Sequence, residues 1–94
     1  MNQIINKTII QALKVKKLDE SYIQILEFFK ANPDSVLTHH YLGIRCELSK
    51  EYNLAIRHYR AALALDGTYR PVIENLYRLG QGKKAPILFG DEVN

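Results

Sequence analysis

The chain has 94 residues, 47% of them hydrophobic, with 13 Lys and Arg against 10 Asp and Glu for a formal net charge of +3. That length holds one small domain (residues 1–94) and excludes a multidomain enzyme, while about 65% of the unfolded surface can be buried at this size, enough for a core without staples. A single cysteine, Cys46, excludes an internal disulfide framework and fits a reducing compartment, so a cytoplasmic protein is expected. The charge is spread, +1 over residues 1–47 and +2 over residues 48–94, and supplies no basic stripe for nucleic acid. The apolar run Ala61-Ala62-Leu63-Ala64-Leu65 is far shorter than the roughly 20 residues of a membrane span. Asn2, Gln3, Asn6 and Lys7 interrupt the isoleucines where a signal peptide would carry its apolar block, so a soluble, unprocessed protein is expected.

In chain order, Ile4/Ile5, Ile9 and Ala12/Leu13 recur at three- and four-residue spacing, as do Tyr22, Ile25/Leu26 and Phe29, the mark of two helices with one buried stripe each. The turn between them falls at 16–21, with Asp19 as N-cap and Glu20 favourable in the first turn. Pro33 disfavours a helical Asn32 and ends the second helix. The plan then repeats: a helix over 36–48 capped by Asp34 or Ser35, a turn over 49–52, a helix over 53–65 and Gly67 as its terminating glycine. Pro33 and Gly67, Leu18 and Tyr52, Ser21 and Ala55, and Phe29 and Leu63 all lie 34 residues apart. A third unit opens at Arg70-Pro71, carries Ile73, Leu76 and Leu79, and is stopped by Gly80 and Gly82.

Residues 36–69 resemble the tetratricopeptide repeat, a 34-residue helix-turn-helix unit. The resemblance is carried by Leu42-Gly43, Tyr52, Ala55, Tyr59, the run Ala62 to Asp66, and Gly67 where the family usually has proline. It implies that Gly43 and Ala55 are small because the paired helices cross most closely there, and that Tyr59 and Ala62 line the contact with the following unit. Residues 2–35 match through Leu18, Ser21, Phe29 and Pro33, and residues 70–82 through Leu76, with Tyr77 standing where a further partner helix would need a small side chain. The implied fold is all-α: a right-handed α-α superhelix of two antiparallel helix pairs (about 2–35 and 36–69), a capping helix over 70–82 and a tail over 83–94.

In the family, the first helices of successive pairs line a concave groove that holds a segment of a partner protein. By register that groove presents Asn6 and Ile10, then Leu37, His40, Tyr41, Ile44 and Glu47, then Glu74 and Arg78. A subgroup clamps a partner's terminal carboxylate with cations and amides, at places occupied here by Asn6, Ile10, Tyr41, Pro71 and Asn75. That set lacks the cations, so no such clamp is expected.

His39 and Cys46, seven apart, share one helical face, but two ligands do not make a zinc site, and both fall at interior places of the repeat. No metal or cofactor is expected, and His58 is assigned to the convex surface. No phosphate loop, nucleophile elbow or HExxH motif is present, and Gly80-Gln81-Gly82-Lys83-Lys84 lacks the strand and the Ser or Thr of a phosphate loop, so no catalytic activity is expected. Arg57, Arg60, Arg78, Lys83 and Lys84 are the most basic residues and carry an alternative reading as a weak RNA- or anion-binding module.

The apolar run Pro86-Ile87-Leu88-Phe89 follows a polar link. Ile87, Leu88 and Phe89 are expected to fold back over Ile73, Tyr77 and Leu79 or to dock on another protein, and burying three such side chains stabilises by about 5 kcal/mol or more. The function expected is a non-catalytic adaptor or accessory subunit that binds a partner protein, with self-association through the end faces and tail as the alternative.

Overall fold

The computed structural model describes residues 2–82 and 85–92, with side chains from Ile4 onward. Lys83 and Lys84 of the basic group, and residues 93–94 of the tail, lie outside the described residues. Five helices follow in order: α1 (Asn2–Lys14), α2 (Leu18–Ala31), α3 (Val36–Leu48), α4 (Tyr52–Leu65) and α5 (Arg70–Gln81). Among the described residues there is no strand.

The 34-residue period is a property of the backbone as well as of the side chains. Helices α1, α3 and α5 begin at 2, 36 and 70, and α2 and α4 at 18 and 52. The turn inside each pair is the same motif. Lys16 and Lys50 adopt left-handed φ values of 60° and 63°. Around the first, Lys17 N–H bonds Ala12 O at 2.9 Å and Lys16 N–H bonds Leu13 O at 3.0 Å. Around the second, Glu51 N–H bonds Cys46 O at 2.8 Å and Lys50 N–H bonds Glu47 O at 2.9 Å. These are the two bonds of a Schellman cap, which satisfy carbonyls the helix end would otherwise leave unpaired. Because the cap already turns the chain, α2 starts at Leu18, ahead of Asp19, and its N-cap residue, Lys17, makes no side-chain bond. Asp19 and Glu20 therefore act on the helix dipole from within the first turn.

The turn between pairs is built from side chains. Asn32 donates to Phe28 O at 3.2 Å, and Ser35 caps α3 by accepting from Leu37 N–H at 3.1 Å. At the matching place after α4, Asp66 Oδ1 accepts from both the Thr68 amide at 3.0 Å and the Thr68 hydroxyl at 2.6 Å. That turn needs no left-handed residue, which is why Gly67 does not act as the terminating glycine; of the five glycines, Gly82 and Gly90 have positive φ. Gly80 lies within α5, and the helix stops at Gly82.

Helix α3 is central, packing most extensively on α4, then on α2, and reaching α1 as well; α5 covers the other side of α4. The core it organises includes Ile9, Leu13, Ile25, Phe28, Tyr41, Ile44, Ala55, Tyr59, Ala62 and Val72. Full burial of each large side chain contributes about 1.5–3 kcal/mol. Gly43 and Ala55 are both buried, yet what demands a glycine at 43 is Tyr59: a Cβ there would fall on the Tyr59 ring. That ring lies inside the second pair, against α3, and its hydroxyl is bonded to Glu47 of the same helix. Glu47 is also held by Arg78 of α5, so the tip of Tyr59 reaches the following unit while its ring packs inside the pair. His58 differs from its expected place: it stacks on His39 with ring centroids 5.3 Å apart, so it is half-buried between α3 and α4 and not on an open convex surface.

Candidate interaction groove

The segment 85–92 leaves α5 without regular structure and crosses the first helix of each unit in turn, α5, then α3, then α1. At α5 the Asn75 side chain bonds both backbone groups of one residue. Its Nδ2 donates to Leu88 O at 2.9 Å, and its Oδ1 accepts from Leu88 N–H at 2.9 Å. At α3, His40 Nε2 donates to Phe89 O at 2.8 Å. At α1, Lys14 Nζ sits 5.4 Å from the centroid of the Phe89 ring and 2.7 Å from Asp91 Oδ2. Between them Gly90 (φ +97°) passes over His40 and Tyr69, where a Cβ would come within 2.6 Å of Tyr69 Oη. The turn is closed by Glu92, whose carboxylate accepts from the Phe89 and Gly90 amides at 2.8 and 2.9 Å.

The floor beneath Asn75 is a polar network. Arg78 forms a two-pronged pair with Glu47, with N···O distances of 2.9 and 2.6 Å, and donates a third bond to Asn75 Oδ1 at 3.3 Å. Tyr59 donates to the same Glu47 at 2.7 Å. Fork-like pairing of this kind is among the stronger hydrogen bonds, and here it fixes the amide: with Oδ1 facing Arg78, Nδ2 must face the Leu88 carbonyl. Hydrogen bonding to Glu47 raises the Arg78 pKa above its ordinary value, the bond outweighing partial burial.

His40 is wholly buried under the segment, with its ring 5.1 Å from Tyr69 and 5.2 Å from Tyr41. Burial pushes its pKa down to about 4, against the opposing pull of the Phe89 carbonyl and the Glu92 charge, so the ring is neutral near pH 7. With Nε2 carrying the proton for Phe89, Nδ1 is an acceptor that finds no hydrogen-bond partner among the described residues.

The residues expected to line the groove divide into three sets. His40, Glu47 and Arg78 do meet the crossing segment or the network under it. Ile10 of α1 is buried in the core, and so are Tyr41 and Ile44, Tyr41 edge-on to Phe28 of α2, because α3 is packed by α4, α2 and α1 and has few faces left for a groove. Asn6 and Leu37 are half-buried, and exposed Glu74 pairs with Arg70 at 3.3 Å. Residues 85–92 fold back. Ile87 and Phe89 pack against the core, Ile87 shares a concavity with Leu79, and Leu88 shares one with Tyr77. Ile73 is half-buried and Tyr77 remains exposed. Lys14 and Tyr69 were not legible as site residues. Asn75 carried a signal, a polar side chain in the apolar register of Val72, Leu76 and Leu79.

Cys46 is a buried free thiol whose pKa is raised, chiefly by burial. Among the described residues, no group of three or more His, Cys, Asp or Glu side chains is placed to hold a metal ion, and no helix is long and apolar enough to cross a membrane. Comparison with family models, curated proteins and solved structures found no match to this chain.

Proposed function

We propose that the chain is a tetratricopeptide-like, non-catalytic interaction module of the cytoplasm, a small adaptor or accessory subunit whose groove across α1, α3 and α5 takes an extended segment of a partner protein. The 34-residue recurrence of helices and turns supports the superhelical arrangement. The observation that carries the function is the crossing segment itself. The groove holds eight residues of irregular chain by contacts that any extended peptide could offer, a carbonyl and an amide to Asn75 and a carbonyl to His40. Main-chain bonds of this sort give affinity in peptide recognition, and the neighbouring side-chain contacts give selectivity.

The test is selection of peptides from a random displayed library on the full chain carrying Gly90→Val, which cannot seat its own segment. The reading expects enriched peptides whose binding is lost when Asn75→Ala is added. No enrichment, or peptides indifferent to Asn75, would overturn it.

Self-association is a second reading, favoured by one observation. Ile4 and Ile23, at the start of α1 and on α2, are 70% and 63% exposed and line one concavity with Phe28. Sedimentation across concentration, compared between the parent and Ile23→Glu, tests it: a dimer lost in the variant supports it, and a monomer throughout ends it. The RNA reading is weakened, because Arg78 is committed to Glu47.

A further inference from the structure

The contacts to the crossing segment are of two kinds. Those of Asn75 and His40 read the backbone and tolerate any side chain. The others do not. Lys14 lies over an aromatic ring, Tyr69 and His40 leave no room for a Cβ on the next residue, and the Lys14 ammonium then meets a carboxylate. A flat π-face for a cation, a residue without a side chain and an acid are therefore favoured in succession.

On the reading of the groove as a peptide site, we propose that its ligand is an extended segment of another protein carrying an aromatic residue, a glycine and an acid in succession. Phe89-Gly90-Asp91 is then a resident copy of that motif, which the ligand displaces. The proposal rests on that reading of the groove.

Two features make the resident copy displaceable. Ile87, Leu88 and Phe89 are only half-buried, and the side chains of the Lys14–Asp91 pair are 42% and 38% exposed, where an ion pair is screened and weak. The copy also leaves space unused: beside Ile87 an open cavity of about 540 Å³ lies between Glu47, Tyr52, Ile56, Arg78 and Leu79. A ligand with a larger apolar side chain at the place of Ile87 gains contacts there that the chain's own segment does not make. A second copy of this chain has no such advantage. Its segment must leave an identical groove in order to enter this one, so contacts are conserved while association entropy is lost.

A resident occupant lowers the apparent affinity for any outside ligand by the fraction of molecules whose groove is open. A labelled peptide of residues 85–92 is therefore titrated, by fluorescence anisotropy, with the full parent chain and with full chains carrying Gly90→Val or Asp91→Lys. Asp91 is exposed, so the second variant sets two ammonium groups against each other at that end of the segment without disturbing the core. Gly90→Val is expected to bind the peptide about tenfold or more tightly than the parent does, and Asp91→Lys more tightly than the parent by a smaller factor. A peptide carrying Ile87→Trp should bind more tightly still, and one carrying Gly90→Ala should not bind.

Equal binding of the Gly90→Ala peptide, or equal binding by the parent and both variants, would overturn the proposal. So would a parent chain that sediments as a dimer dissociated by Asn75→Ala, since the occupant would then be a second copy. Failure here together with library peptides that do depend on Asn75 would leave the groove a peptide site with a different motif. Failure of both would remove the peptide site itself.

Discussion

The Asn75 side chain makes with Leu88 the pair of hydrogen bonds that a neighbouring strand would make, donating to the carbonyl and accepting from the amide, each at 2.9 Å. A helix thereby presents a strand-like edge to an extended chain. The amide is oriented by Arg78, which is itself held by Glu47, so the groove floor aims Asn75 at the segment.

Replacing Asn75 by Ala removes both bonds and leaves the Leu88 backbone unpaired. Two hydrogen bonds and the loss of a preferred seat for Ile87 and Phe89 correspond to about 2–3 kcal/mol. Urea denaturation should show the midpoint falling accordingly. Asn75→Asp should be at least as damaging, because a carboxylate faces the Leu88 carbonyl with no proton to donate.

Stability should depend on His40. Its folded-state pKa of about 4 lies below the ordinary value of 6.5, so the unfolded chain binds the proton more readily. The contribution is complete above about pH 6.5 and is lost progressively as pH falls toward 4, by roughly 3 kcal/mol in all. Tyr41 and Tyr69 offer the buried ring no charge, and Glu92 opposes the shift only in part. Denaturation midpoints measured from pH 7.5 to 4 should therefore fall more steeply for the parent than for His40→Gln. Parallel curves would contradict this. His58, whose pKa is also lowered by burial and by His39, adds to the slope in both proteins.

Gly43→Ala would ordinarily favour a helix by about 1 kcal/mol. Here the added methyl meets the Tyr59 ring, which is fully buried and tethered to Glu47, so it cannot swing aside. Overpacking should prevail and destabilise by about 1–3 kcal/mol net. Thermal unfolding of Gly43→Ala against Gly80→Ala, where nothing lies near the added carbon, separates the two effects. Gly80→Ala should stabilise.

The left-handed lysines offer the opposite experiment. Lys50→Gly should raise stability by about 0.5–1 kcal/mol, because glycine occupies that conformation without steric cost. Lys16→Gly should do the same by a similar amount, since the two turns share their hydrogen bonds. Urea midpoints of the two single variants and the double variant provide the check. The gains should add, as each turn closes on its own pair of hydrogen bonds.

These residues also mark what the sequence could and could not disclose. The period was legible because apolar Leu18 and Tyr52, and the chain breakers Pro33 and Gly67, stand 34 residues apart, and α3 was placed at 36–48 from its apolar spacing and caps. The Schellman turns were not, since a lysine at positive φ looks like any other polar turn residue. Tyr41 and Ile44 fell on the groove by register, whereas in the fold α2 and α1 close over α3 as well as α4. The pairing of Lys14 with Asp91 spans 77 residues, and no local pattern encodes a contact of that separation. His40, Glu47 and Arg78 were placed by the register of the repeat, and Asn75 had a local sign of its own, an amide in an apolar stripe.

The most direct measurement is proton cross-relaxation by NMR on the full chain, between the Gly90 α-protons and the Tyr69 ring. The account predicts strong cross-peaks to Tyr69, with a slowly exchanging Leu88 amide that Asn75→Ala turns into a fast one. Random-coil shifts throughout 85–92, with no cross-peak from Gly90 to Tyr69, would contradict it.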